Sequence, residues 1–261
     1  MNQSEKRLFL IQSLLKEKTE YRDMGIPADI NSQRQLLRGL MNIRAPQSVS
    51  ADFLQTQDAY LQGETAAKGI TDIADLTPIQ PGLYLWQGDI TTLKCDAIVN
   101  AANAGMTGCY IPNHRCIDNA IHTYAGMQLR LACANLMDEQ GHEEPTARVK
   151  VTPAFNLPSS YVFHTVGPIV PSHKPGPREE LLLRRCYTSC LEEATRRGLG
   201  TLAFCCISTG VFGYPQDAAA RVAIDTVRHH LDHNDPNLKV IFNVFLASDE
   251  AIYRSLLQTN R

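Results

Sequence analysis

Residues 96–103 read Asp-Ala-Ile-Val-Asn-Ala-Ala-Asn, and this stretch decides the fold. Ala97-Ile98-Val99 is an unbroken apolar run without the alternation of a sheet that has one wet face, so it predicts a strand buried on both sides. Such a strand needs helices above and below it. The same texture extends outward. Upstream, Leu83-Tyr84-Leu85-Trp86 forms a strand that ends at Gly88-Asp89. Downstream, Ile117, Ile121, Tyr124, Met127 and Leu131 recur at helical spacing and predict one long helix over 116–138. Tyr161–Val166 is a strand, 178–197 a helix, Leu202–Ile207 a strand, 216–231 a helix and Lys239–Val244 the last long strand. Strands alternating with helices predict a three-layer α/β sandwich whose ligand cleft lies at the C-terminal ends of the strands.

Before about residue 80 the texture is helical. Leu8, Ile11, Leu14 and Leu15 give a helix over 5–18, and Leu36, Leu37, Leu40 and Met41 give another over 32–43. Ser50 before Asp52, Phe53 and Leu54 marks the capped start of a third. Residues 1–80 therefore read as a helical extension and 81–261 as the α/β domain. The 261 residues are 44% hydrophobic and 20% charged, enough for a substantial core. A net charge of -2 and a pI of about 6.4 argue against nucleic acid and against a polybasic membrane surface as partners. No apolar run reaches the length of a membrane span. The stretch Leu8-Phe9-Leu10-Ile11 breaks at Gln12-Ser13 without a cleavage-type sequence, so a cytoplasmic address is expected. The eight cysteines then read as thiols or metal ligands rather than disulfides.

Three loops follow three of these strands: Gly88-Asp89-Ile90-Thr91, the segment from Asn100 to Asp118, and Ser208-Thr209-Gly210-Val211-Phe212-Gly213-Tyr214-Pro215. Gly88-Asp89 can merely end a strand in a turn. At a strand's end, Asp89 is equally an acceptor for an exocyclic amine such as that of adenine. The small residues of 208–214 offer backbone N–H groups that can close around a phosphate ahead of a helix N-terminus. A plain glycine-containing turn is the competing interpretation of that stretch.

The order GDIT, DAIVNAAN, DNAIH, LPSSYVFHTVGP and STGVFGYP resembles the macrodomain family of ADP-ribose-binding proteins over roughly the last two-thirds of the chain. The resemblance implies a three-layer α/β/α fold with a mixed sheet and ADP-ribose lying across the strand ends. Asp89 and Ile90 would hold adenine, Asn103 would face the distal ribose, and Ser208, Thr209, Gly210, Val211, Phe212, Gly213 and Tyr214 would wrap the pyrophosphate. Cys116, Ile117 and Asp118 would close the other side.

The sequence departs from the commonest hydrolytic macrodomains between Asn103 and Asp118. A glycine-only loop is replaced by Gly-Cys-Tyr-Ile-Pro-Asn-His-Arg-Cys-Ile-Asp at 108–118. Cys109, His114 and Cys116 thus lie in one loop, and two thiolates with an imidazole are a zinc-type donor set that leaves one coordination position open. Incidental thiols and a surface histidine are the alternative. The departure is similar to a zinc-containing microbial branch of the family, which is associated with sirtuin-like ADP-ribosyltransferases and with removal of ADP-ribose from proteins.

The resemblance therefore implies a zinc-dependent hydrolase acting on mono-ADP-ribosylated protein, with Asn103 and Asp118 as catalytic residues. A non-catalytic ADP-ribose reader with a zinc-shaped loop is the rival expectation. A zinc deaminase is set aside because no P-C-x-x-C follows His114. His122, one helical turn after Asp118, could reach toward the site but reads first as core or helix-surface packing, and His164 reads as an interior histidine. His229, His230 and His233 read as a solvated helix end, and the loop 173–180 gives no catalytic signal.

Overall fold

The computed structural model describes residues 1–21 and 23–259. The N-terminal helices are α1 (Gln3–Lys16), α2 (Ile30–Ile43) and α3 (Ala51–Lys68). The first two begin two residues earlier than the apolar spacing predicts. Asn2 and Asp29 accept the N–H groups of Glu5 and Ser32 and so fix the starts, as Ser50 does for α3. Their apolar faces meet in a small core of their own around Leu10, Ile11, Leu37, Phe53 and Tyr60.

Beyond a short parallel pair, β1 (Thr71–Asp72) with β3 (Leu93–Lys94), lies a six-stranded sheet. Its strands are β2 (Leu83–Gln87), β4 (Ala97–Ala102), β5 (Val149–Pro153), β6 (Tyr161–Val166), β7 (Thr201–Phe204) and β8 (Lys239–Val244), in the order β2-β8-β7-β4-β6-β5. All neighbours are parallel except β5, which runs antiparallel to β6, so the sheet is mixed. The helices are α4 (Ile117–Ala125), α5 (Met127–Gln140), α6 (Pro177–Arg196), α7 (Gln216–His233) and α8 (Ala247–Thr259). The chain crosses one way from β4 to β6 and the other way from β6 to β7. Right-handed connections then put α4 and α5 on one face and α6 and α7 on the other, which gives the α/β/α sandwich. Ala97, Ile98 and Val99 are fully buried at its centre.

Three sequence expectations need correction. The helix over 116–138 is two helices, because the chain turns at Gly126 with φ +97°. A Cβ there would sit 2.7 Å from Gln57 Nε2, while Gln57 Oε1 accepts the N–H of Met127 at the start of α5. The apolar spacing continues through the break and hides it. The antiparallel strand β5 and the C-terminal helix α8 were not anticipated. The helix end at His229–His233 is not wholly solvated either. His230 is buried, with its Nε2 3.0 Å from Thr195 Oγ1.

The N-terminal helices are fastened to the sandwich by buried polar contacts. Arg130 of α5 is buried and donates to the carbonyls of Met41, Asn42 and Arg44, which closes the C-terminus of α2.

Candidate active site

The loops after β2, β4 and β7 all emerge at the C-terminal edge of the sheet. Gly88 ends β2, its N–H donating to Val244 and its carbonyl accepting from Asn243 Nδ2 of the neighbouring strand. Asp89 follows as the cap of a short 3-10 turn over Ile90–Thr92. Its Oδ1 accepts from the N–H and hydroxyl of Thr91 at 3.0 and 2.6 Å, and its Oδ2 accepts from Lys68 Nζ at 3.0 Å. Burial would raise this carboxyl, but Thr91 and the Lys68 ammonium together hold it below the usual carboxylate range. Lys68, from α3, also lies 3.4 Å from the centre of the Tyr124 ring. Ile90 is in the core at 1% exposure, so only its backbone can serve a ligand.

After β7, Ser208 takes a left-handed conformation with φ +67°. The turn is closed by Tyr214 N–H to Ser208 O and by Gly213 N–H to Gly210 O. The N–H groups of Gly210, Val211 and Phe212 have no acceptor among the described residues. Three free donors in succession form a nest of the kind that receives an anion. The buried Ser208 hydroxyl likewise has no protein partner, while Thr209 turns its hydroxyl to Cys206 O. His173, in the loop read as silent, holds this turn from behind, its Nδ1 2.8 Å from Gly213 O.

The loop after β4 carries the remaining residues. Asp118 stands in the first turn of α4, 5% exposed. Asn100 Nδ2 donates to its Oδ1 at 2.8 Å and Asn103 Nδ2 to its Oδ2 at 3.4 Å. Burial pushes the Asp118 carboxyl up to about 6, against the lowering effects of the Asn100 bond and of Arg130. Asn103 is half-buried and is itself fixed by Gly108 O and Gly105 N–H. His122 and His164 are both interior. His122 nevertheless brings its Nε2 to 3.5 Å from Asp118 Oδ1, and His164 Nδ1 lies 3.2 Å from Asn100 Nδ2.

Cys109, His114 and Cys116 are half-buried, with their ligand atoms within 4.8 Å of one another. Cys109 Sγ is 3.4 Å from His114 Nδ1. Tetrahedral zinc, with bonds of about 2.3 Å to sulfur and about 2.0 Å to nitrogen, sets such a pair about 3.5 Å apart. Burial pushes the Cys116 thiol up to about 11, and a bound cation would reverse that cost. The donor set and its spacing fit zinc. His122, Cys133 and His164 form a second close group, wholly inside the core, where both ring nitrogens of His164 already face Asn100 and Thr152. The other thiols, Cys95, Cys186, Cys190 and Cys205, are buried, and Cys206 is half-buried.

Sequence reasoning missed four contributors. Asn100 stood in the DAIVNAAN motif and at the head of the segment read as a loop, but no role was given to it, and it proves to lie in β4. Arg38 and Asn42 of α2 reach the metal-donor loop: Arg38 Nη2 donates to His114 O at 3.0 Å, and Asn42 Oδ1 accepts from Asn113 N–H at 3.0 Å. Phe245, just past β8, is 72% exposed between the ends of β2 and β7.

A macro domain model matches residues 99–223. A Protein-ADP-ribose hydrolase of Treponema medium is 54% identical over 98% of this chain and 100% of its own. The chain belongs to the macrodomain family. A Protein-ADP-ribose hydrolase of Staphylococcus aureus is 44% identical over 94% of this chain and 92% of its own. Among solved structures, a mutant macrodomain of Oceanobacillus iheyensis with ADPR superposes with a TM-score of 0.63 at 37% identity, covering 70% of this chain and 96% of that one. That structural match covers 70% of this macrodomain protein and leaves the rest unmatched.

Proposed function

We propose that this macrodomain removes mono-ADP-ribose from modified protein side chains. The observation that carries the proposal is the Asn100–Asp118–Asn103 cluster, built from the end of β4, the start of α4 and the loop between them that also holds the Cys109, His114 and Cys116 donors, at the sheet edge that presents Asp89 and the 208–214 nest. The names of its full-length relatives support it. Asp89 and the Ile90 backbone would take adenine, with Phe245 as an apolar face for the base. The free N–H groups of Gly210, Val211 and Phe212 would take the pyrophosphate. Asn103 would fix the distal ribose, with Cys116 and Ile117 alongside. Asp118 would accept a hydrogen bond from the water whose oxygen bonds to C1 as the C1–protein bond breaks and the leaving side chain takes a proton. A zinc ion held by Cys109, His114 and Cys116 would supply a Lewis acid at the distal ribose.

The reaction belongs in the cytoplasm, where the loop thiols stay reduced, and a sirtuin-like ADP-ribosyltransferase would supply the modified protein. Incubation with a mono-ADP-ribosylated protein tests the proposal: free ADP-ribose should appear. Tight binding of the modified protein without release would make the chain a reader.

A further inference from the structure

A cleft of about 420 Å³ separates the N-terminal helices from the metal-donor loop. One wall carries Arg34 and Arg38 of α2 with Tyr60 and Glu64 of α3, and the other carries Arg115 of the loop and Tyr124 of α4. Three guanidinium groups face one carboxylate there. Glu64 is already committed to Arg34, with Nε and Oε2 2.8 Å apart. Arg38 donates only to neutral oxygens, those of His114 and Asn119. Arg115 is exposed and has no hydrogen bond or ion pair with any described residue. The cleft therefore holds a cationic surplus of two in a chain whose net charge is -2. Arg115 stands between His114 and Cys116 and also lines this cleft, so the cleft adjoins the donor residues.

From this we infer that the cleft binds an acidic segment of the modified protein, flanking its ADP-ribosylated residue. The inference rests on the hydrolase reading and gives the N-terminal helices a part in choosing the substrate. Complementary charge at a rim acts on encounter and selectivity more than on the chemical step, and salt weakens it.

Two synthetic peptides test the inference, each with one mono-ADP-ribosylated residue, flanked by glutamates in one and by glutamines in the other. Binding is read by fluorescence anisotropy on the Asp118→Ala protein, and kcat/KM on the otherwise unaltered enzyme. The glutamate peptide should be preferred roughly three- to tenfold at low salt, the scale of one or two exposed ion pairs. Arg115→Glu should abolish or invert the preference, and Arg115→Gln should reduce it. Metal content and affinity for free ADP-ribose should stay unchanged in both variants. Equal binding of the two peptides, or a preference that survives Arg115→Glu, overturns the inference. Failure of the hydrolase reading is a different result: neither peptide releases ADP-ribose, while the anisotropy still reports on the cleft.

Discussion

Arg38→Met asks whether the N-terminal helices shape the metal-donor loop. Methionine keeps much of the apolar stem and deletes the guanidinium. Two bonds to Asn119 Oδ1, at 3.2 and 2.8 Å, and one to His114 O, at 3.0 Å, are lost. Asn119 is fully buried and its Oδ1 has no other donor among the described residues. An acceptor left unpaired in that position costs about 1–3 kcal/mol. The His114 carbonyl can turn to water, so its bond contributes only about 1 kcal/mol, and the sum is about 2–4 kcal/mol of folding stability. The same change frees the backbone of His114, and losing a contact that orients a ligand typically lowers metal affinity about 10–100-fold. Urea unfolding of metal-stripped protein measures the first effect without the stabilisation a bound ion adds. Competition with a zinc chelator measures the second. Metal-free stability within about 0.5 kcal/mol of the unaltered protein, together with unchanged zinc affinity, would refute the reasoning.

Asp89→Ala removes the acceptor assigned to adenine and leaves the 208–214 nest intact. ADP-ribose binding should weaken by about 1–3 kcal/mol, as read by calorimetry, and unchanged affinity would move adenine elsewhere. Burial holds His164 neutral, pulling its pKa down to about 3 from the ordinary imidazole value of 6.5. A folded-state pKa below the unfolded one means its contribution is full above pH 6.5 and is lost as pH falls toward 3, by roughly 1.4 kcal/mol per pH unit. The difference in unfolding free energy between the unaltered protein and His164→Gln should therefore shrink across that window. A constant difference would mean that His164 does not titrate with unfolding.

What was legible in the sequence was what depends on near neighbours. The unbroken run at 97–99 and the largely apolar, β-branched and aromatic runs at 161–166 and 239–244 give strands because both faces of the sheet are covered. Cys109, His114 and Cys116 are gathered by a single loop, so their proximity could be read from spacing. The break at Gly126 was hidden because the apolar spacing runs through it, and Gln57, which accepts the Met127 N–H at the start of α5, lies far away in sequence. Val149-Lys150-Val151-Thr152 does alternate, but a run so short is hard to tell from a loop. Nothing local in α2 announces that Asn42 will bond Thr123 and Asn113, or that Arg38 will hold His114. Those contacts exist only once two separate hydrophobic cores have docked. Asn103 and Asp118 could be matched to motifs, whereas the 2.8 Å bond that makes Asn100 their partner depends on where α4 begins.

The most direct test of the account is the single-turnover rate of ADP-ribose release from a mono-ADP-ribosylated protein, measured with metal content on three proteins. The unaltered chain should carry zinc and release ADP-ribose. Asp118→Ala should keep the metal and still bind ADP-ribose, but release it about 10²–10⁴-fold more slowly, the usual worth of a positioned acid–base group. His114→Ala should lose metal and turnover together, while binding at Asp89 and the 208–214 nest persists. Release at the unaltered rate by Asp118→Ala, or by metal-free His114→Ala, would contradict the account.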